Sequence, residues 1–360
     1  MHGVVTVKAG EGAGVAGDVS GGASGDASVG GRDGGGTGGG VAAGGGGGLR
    51  IAYGDDPDQF GEWRMPGAGR APLATALLLH GGYYRSPYTL DLMTPMAADL
   101  ADRGWAVFNV EYRRPDAHGW AATHADVHAA LAALGGIESF VPDAPLVVIG
   151  HSAGGQLALQ LAEEGASATP APGAPALAAP AALAPPSAPA APSPPSAPAA
   201  PSPPSAPAAP SPPSAPGAAA ATSGAPRIDL AVSLAGVVDL TDSYRRRSSD
   251  GAVKMALGGS PRRQSAAYAA ASPSLWTQRR TPWLLVQGSD DGPELVLPNR
   301  ALAANAQLDH PELLEAPGDH FAVIDPAATI WHAAVARITE LLASELLASE
   351  LLASGRLARS

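Results

Sequence analysis

The chain has 360 residues, among them 46 glycines, 36 prolines and no cysteine, and its formal net charge is −11. The absence of cysteine excludes disulfide frameworks, cysteine-ligated zinc, iron–sulfur clusters and thiol catalysis. The negative charge predicts no nucleic-acid partner, because binding to phosphates requires a concentrated basic surface.

The glycines and prolines are concentrated in two segments. Residues 1–48 are rich in glycine, and residues 166–225 carry a proline-rich repeat, APSPPSAPA, that begins at Ala191, Ala200 and Ala209, with Gly217 at the end of the third copy. Neither segment has the apolar periodicity of a core, so both are predicted to be disordered. The insert is interpreted as a spacer, a ligand for an aromatic groove or a neutral loop expansion.

Between these segments, short apolar runs alternate with amphipathic stretches. The pattern predicts strands over 75–79, 105–110, 146–149, 230–234, 283–286 and 313–316, and helices over 88–102, 121–134 and 153–164. This alternation is typical of an α/β fold with a mostly parallel, twisted sheet and helices on both faces. We therefore expect a single domain over 49–344, interrupted by the insert 166–225, with functional groups beyond the carboxyl ends of the strands.

A five-residue repeat, ELLAS, begins at Glu340, Glu345 and Glu350 near the C-terminus. Its residues favour a helix. Five residues advance a helix by about 500°, so the leucines wind around the surface and form no coiled-coil seam. Residues 345–360 are predicted to be a helical or frayed extension of the last helix.

The sharpest chemical signal is the motif G-x-S-x-G at residues 150–154, between a predicted strand and a predicted helix. A serine on such a turn has strained backbone geometry that small neighbours permit. The start of the following helix directs the amide of Ala153 toward a developing oxyanion. Ser152 is therefore the predicted nucleophile.

A serine hydroxyl requires a general base, which comes later in the chain in this topology. His310 precedes a predicted strand, and His332 belongs to the final amphipathic pattern. His320 follows the strand 313–316 in a loop, where a catalytic base is expected. His320 is the predicted base.

An acid is needed to orient the histidine. Asp290 and Asp291 both follow the strand 283–286, and the pattern alone does not separate them. Asp239, beyond the strand 230–234, is a third candidate. Asp319 is discounted because residues adjacent in sequence rarely face each other.

A glycine-rich loop follows the first buried strand, with His80, Gly81, Gly82 and Tyr83 in succession. Glycines at this place allow the backbone to approach a substrate carbonyl closely. We predict that the oxyanion hole is formed by the amide of Ala153 together with the amide of Gly82 or Tyr83.

The segments 80–82, 150–155, 288–291 and 319–321 together resemble the α/β-hydrolase superfamily, and within it the esterase and kynurenine formamidase-like branch. The resemblance covers roughly 50–165 and 226–335 and implies the α/β-hydrolase fold. It implies a triad of Ser152, His320 and the aspartate three residues after Gly288, which is Asp291. The sequence departs from the pattern at Gln287, where a non-catalytic histidine is usual, and at Tyr84, where formamidases have tryptophan.

The resulting hypothesis is a serine hydrolase that cleaves small carboxylic esters or related acyl bonds through an acyl-enzyme resolved by water. No cofactor is expected. Tyr84 and Trp276, with Tyr83, are candidate walls of the substrate pocket. The alternatives are an arylformamidase acting on N-formylkynurenine-type amides, and an inactive hydrolase-fold binding protein with the proline repeat as an interaction arm.

A metal site is the competing interpretation of His124 and His128, which lie four residues apart on one predicted helix. A zinc protease motif requires glutamate directly after the first histidine and a third ligand. Ala125 takes that position and no third ligand is evident from the sequence. The pair is therefore predicted to lie on a helix surface, with no metal.

The chain contains no run of 18 or more apolar residues, and its first residues lack a basic segment followed by an apolar stretch. These features predict no membrane span, no secretory signal and a cytoplasmic location. The sequence makes no prediction of oligomeric state.

Overall fold

A computed structural model describes residues 5–6, 48–67, 69–165 and 225–353 of the chain. All of these residues belong to one compact unit. The predicted insert 166–225 lies outside the described residues except for its last residue, and the predicted tail 1–48 lies outside them except for residues 5, 6 and 48.

The described strands are short and most of them are buried along their whole length. They are β1 (Val5–Thr6), β2 (Leu49–Ala52), β3 (Phe60–Arg64), β4 (Thr75–Leu79), β5 (Ala106–Val110), β6 (Leu146–His151), β7 (Leu230–Leu234), β8 (Trp283–Gly288) and β9 (Glu312–Ala316).

The described strands form one nine-stranded sheet in the order β1-β9-β8-β7-β6-β4-β5-β3-β2. In this order, every pair of neighbouring strands from β1 through β9, β8, β7, β6 and β4 to β5 is parallel. The strands β3 and β2 complete one edge through antiparallel pairs. The prediction of a mostly parallel sheet is confirmed.

The helices connect the strands in the manner of βαβ units. They are α1 (Thr94–Asp102), α2 (Pro115–His118), α3 (Trp120–Leu134), α4 (Ala153–Gly165), α5 (Leu240–Arg246), α6 (Ser248–Ala256), α7 (Ser265–Ala271), α8 (Pro293–Ala303) and α9 (Thr329–Ala353).

Two apolar cores flank the sheet, because successive side chains of a strand point to opposite faces. In β4, Leu77 and Leu79 pack into the core beneath α3 and α4. Ala76 and Leu78 of the same strand pack into the core beneath α1 and α9. Helices therefore cover both faces of the sheet, as predicted.

Three details differ from the prediction. The helix expected from residue 88 begins as a 3-10 turn at Leu90–Met93, capped by Thr89, and becomes α-helical only at Thr94. Pro95 lies in the first turn of α1, where its missing N–H costs no helical hydrogen bond. The sequence patterns did not predict the antiparallel strands β2 and β3.

The third difference concerns the N-terminal segment. Val5–Thr6 of the predicted tail forms a strand that pairs with Leu314 and Glu315 of β9. A two-residue strand is too short to carry a periodic signal. At the other end of the chain, α9 continues through the predicted extension as far as Ala353.

Candidate active site

Ser152 lies on the sharp turn between β6 and α4, with a positive φ of 55°. A non-glycine residue in this conformation carries about 1–3 kcal/mol of strain, which a rigid surrounding must sustain. Gly150 and Gly154 make the turn possible, because a Cβ on Gly150 would lie 1.9 Å from the Gly154 oxygen. A Cβ on Gly154 would lie 2.1 Å from the Leu79 oxygen of the neighbouring strand.

The backbone of Ser152 is fixed by hydrogen bonds to β7, to the loop after β7 and to the first turn of α4. Its N–H donates to the Leu234 carbonyl at 2.9 Å, and its own carbonyl accepts from the amides of Gly155 at 3.0 Å and Val237 at 3.2 Å. These contacts sustain the strained turn. Ser152 is 3% exposed and borders a cavity.

His320 lies in the loop after β9, and its Nδ1–H donates to Oδ2 of Asp291 at 2.9 Å. The Gly292 amide donates to the other oxygen of Asp291 at 2.7 Å. Burial by itself raises the pKa of the Asp291 carboxyl, but the hydrogen bond from His320 and its charge outweigh burial, so the pKa lies below its ordinary value. Asp291 is therefore an ionised partner for an imidazolium.

The other acidic candidates have different partners. Asp290 is exposed and accepts from the Gly318 amide at 3.0 Å. Asp239 caps α5, where it accepts from the Asp242 amide at 2.8 Å. Asp319 accepts from the Phe321 amide at 3.0 Å. Among these candidates the structure thus brings Asp291 to the imidazole of His320.

Gln287 supports Asp291 from the end of β8. Its Nε2 donates to Asp291 Oδ2 at 3.1 Å, while its Oε1 accepts from Asn299 Nδ2 at 3.1 Å. Asn299, in α8, also donates to the Gly236 carbonyl at 2.9 Å. This buried amide pair orients the carboxylate, and sequence reasoning assigned neither residue a role at the site.

His151 is a second group that sequence reasoning missed. Its ring lies 4.7 Å from the ring of His320, and its Nε2–H donates to the His320 carbonyl at 2.9 Å. Burial, reinforced by the nearby His320, lowers the pKa of His151 to about 3. His151 thus holds the His320 loop as a neutral donor.

The low pKa of His151 predicts an acid-sensitive contribution to stability. Its folded-state pKa of about 3 lies below an unfolded value of about 6.5, so the unfolded state binds the proton first and stability falls as pH drops from 6.5 toward 3. Between pH 7.5 and pH 5 this group should cost the wild type about 2 kcal/mol of unfolding free energy.

Urea titrations at the two pH values measure that loss. The variant His151→Gln should lose correspondingly less than the wild type, whereas the matched control His118→Gln, at an exposed histidine, should behave as the wild type does. Equal losses in wild type and His151→Gln, or an imidazole of His151 that NMR finds protonated at pH 5, would contradict the argument.

The glycine-rich loop after β4 lies against Ser152. A Cβ on Gly81 would come within 3.0 Å of the Ser152 Cβ, so only glycine allows this approach. The next three residues all have positive φ: 115° at Gly82, 56° at Tyr83 and 59° at Tyr84. Positive φ at two bulky residues is strained geometry of the kind that concentrates at functional sites.

A buried polar cluster anchors this loop. His80 Nε2 lies 3.0 Å from Glu111 Oε1, and Glu111 Oε2 accepts from the Leu90 amide at 2.9 Å. Arg114 also pairs with Glu111. The Tyr112 hydroxyl donates to the His80 carbonyl at 2.6 Å, and the two rings stack. Glu111 and Tyr112 thus anchor the start of the loop at His80.

A cavity of about 580 Å³ opens above the serine. Ser152, Asp291 and His320 all line it, as do the predicted pocket residues Tyr83 and Tyr84. Burial raises the pKa of the Tyr84 phenol, which stays protonated and donates to Gln156 Oε1 at 3.1 Å.

The structure does not bring Trp276 to this cavity. Trp276 lines a separate depression with Gln160 and Glu163, where its indole N–H donates to the Ala269 carbonyl at 3.1 Å and its ring packs edge-on against Trp283. The prediction of Trp276 as a pocket wall is corrected accordingly. An aromatic residue in a loop gives no sequence signal of its direction.

The opposite wall of the cavity comes from α5 and α6, a segment to which sequence reasoning assigned no role. It contributes Ser243, Arg246, Ser248, Ser249, Ala252 and Val253. The backbone takes positive φ from Ser249 to Gly251, and Arg85 donates to the Ser249 carbonyl at 2.6 Å. This contact ties the wall to the loop that follows β4.

The other late histidines lie elsewhere. His310 is exposed just before β9, and His332 is exposed on α9, where its Nδ1 accepts from Arg103 at 2.9 Å.

Among the described helices, none has the length and apolar character needed to cross a membrane.

The model of the alpha/beta hydrolase family matches residues 76–332. The match covers most of the chain, and the chain belongs to this family. No curated protein matches the chain.

Solved structures of esterases share the fold at low sequence identity. Esterase B from Lactobacillus rhamnosis, in a structure with a C4-C4 SN3 tributyrin phosphonate, is 18% identical with a TM-score of 0.58, over 84% of this chain and 87% of that chain. A truncated carbohydrate esterase from gut microbiota is 14% identical with a TM-score of 0.57, over 82% and 95%. An esterase/lipase from an uncultured bacterium is 20% identical with a TM-score of 0.50, over 79% and 80%.

Proposed function

We propose that this protein is a serine hydrolase of small carboxylic esters, with Ser152, His320 and Asp291 as its catalytic triad. The observation that carries the proposal is a serine on a strained turn that borders the same cavity as a hydrogen-bonded His320–Asp291 pair. Family membership supports ester hydrolysis as the class of reaction.

In this mechanism Ser152 Oγ attacks the carbonyl carbon of the ester while His320 Nε2 takes the hydroxyl proton. Asp291 accepts from Nδ1–H of His320, which fixes the tautomer and stabilises the imidazolium. His320 then protonates the leaving alcohol. A water molecule, deprotonated by His320, attacks the acyl-enzyme and releases the acid.

The oxyanion is assigned to the amides of Ala153 and of Gly82 or Tyr83. The strained loop over 82–84 and the approach of Gly81 to Ser152 support this assignment. Loss of one such donor typically lowers the rate by about 10²–10³-fold.

The cavity supports a small substrate. Its volume of about 580 Å³ lies within the range of small-molecule sites, and it mixes apolar groups such as Val237 and Leu295 with polar ones. The similar structures include proteins named as esterases, one of them with a short-chain phosphonate. Short acyl chains are therefore the proposed substrates.

A comparison of kcat/KM for p-nitrophenyl esters of two to eight carbons with that for N-formylkynurenine tests the substrate class. We expect the esters to be preferred over the formamide, with the short acyl chains turned over fastest. A strong preference for the formamide would replace the esterase by the arylformamidase of the branch that the sequence resembles. Turnover of neither class, in folded protein, would favour the binding-protein alternative.

A further inference from the structure

Three metal-ligating side chains converge on the surface between α3 and α4. His124 and His128 lie one helical turn apart on α3, and Glu164 lies at the end of α4. Oε2 of Glu164 is 2.5 Å from His124 Nε2 and 2.8 Å from His128 Nε2. The two imidazole rings have centroids 4.7 Å apart.

We propose that His124, His128 and Glu164 form a binding site for a divalent transition metal ion of the zinc class. All three offer a ligand atom within 4.8 Å of the others. Two imidazoles and one carboxylate suit zinc and its neighbours, whereas calcium and magnesium prefer oxygen ligands throughout.

The distances from Glu164 Oε2 to the two histidine Nε2 atoms are close to those between the ligands of a tetrahedral zinc ion. Bonds of about 2.0–2.2 Å to tetrahedral zinc place the ligand atoms about 3.3 Å apart. The present Nε2–Oε2 distances are shorter, so the ion would open the cluster by less than about 1 Å. The side chains are 34–37% exposed, which leaves them room to move and leaves water access to the remaining coordination positions.

Glu164 is oriented by a chain of amides along α4. Gln160 Nε2 donates to Glu164 Oε1 at 2.9 Å, which leaves Oε2 directed at the histidines. Gln156 in turn donates to Gln160 Oε1 at 2.8 Å. Support of this kind is characteristic of groups around metal ligands, where it fixes the direction of the carboxylate.

The proposed metal site lies at a distance from the triad. Glu164 follows Ser152 by twelve residues along α4, a rise of about 18 Å. An ion bound there joins α3 to the far end of α4 and contacts no group of the triad. It therefore acts on stability, and its test does not depend on hydrolysis.

Isothermal titration of the untagged, chelator-treated full chain with ZnCl₂ tests the proposal. We expect one Zn²⁺ per chain at this site, and a rise in Tm of about 5–10 °C at a hundred times Kd. Replacing a ligand, in His128→Ala or Glu164→Gln, should weaken binding by more than the roughly 10–100-fold loss typical of supporting residues. Gln160→Ala should weaken it about tenfold.

The matched control is His118→Ala, an exposed histidine outside the cluster, which should bind Zn²⁺ as the wild type does. Co²⁺ serves as a spectroscopic probe, with visible bands that the two ligand variants should lose while circular dichroism shows them folded. No Zn²⁺ binding, binding unchanged in the ligand variants, or equal affinity for Mg²⁺ would overturn the proposal.

Discussion

Replacing Ser152 by alanine is expected to lower kcat for p-nitrophenyl butyrate by about 10⁶-fold, because the change removes the oxygen atom that attacks the ester carbonyl. The fold should persist, since the change removes one oxygen atom and leaves the backbone contacts of the turn intact. Steady-state kinetics, with circular dichroism and Tm on the same sample, measure both effects.

The cavity supplies its own control for this variant. Ser248 also lines the cavity but belongs to α6 and lies outside the strained turn. The variant Ser248→Ala should retain kcat within a few-fold of the wild type. Full activity in Ser152→Ala, or an equal loss in both variants, would remove Ser152 from the nucleophile's role.

The second large effect separates two adjacent aspartates. Asp291→Asn should lower kcat about 10⁴-fold, because the amide removes the charge that holds the His320 tautomer and stabilises its imidazolium. Asp290→Asn should cost little, since Asp290 is exposed and accepts from a loop amide.

The ranking of the two variants is decisive, since they differ by one position and by the same chemical change. Kinetics at saturating ester, with Tm as the check on folding, measure it. If Asp290→Asn proved the more damaging substitution, the acid of the triad would have to be reassigned.

Much of the fold could be predicted because its central strands are continuous apolar runs. β4 and β7 are buried on both faces, and the structure gives both the predicted bounds. The strands β2 and β3 could not be recognised, because charged residues such as the exposed Arg50 and the half-buried Glu62 interrupt their apolar pattern. These two strands are defined by the strands with which they pair, and a local sequence pattern does not show that pairing.

In the candidate site, only residues that a short stretch of sequence marks out could be predicted. Ser152 and His320 each follow a strand in a recognisable turn or loop, so their neighbours in sequence mark them as candidates. Gln287, Asn299 and the wall from α5 and α6 act through contacts between distant segments. Glu164 was missed for the same reason, because it lies 36 residues beyond His128 on another helix.

If Ser152 is an activated nucleophile in the folded protein, a fluorophosphonate probe should label it. Tandem mass spectrometry of the native, labelled chain should place the adduct on Ser152, and heat denaturation or Ser152→Ala should abolish labelling. A folded chain that stays unlabelled, or an adduct on another serine of the cavity such as Ser243 or Ser248, would rule out Ser152 as the nucleophile.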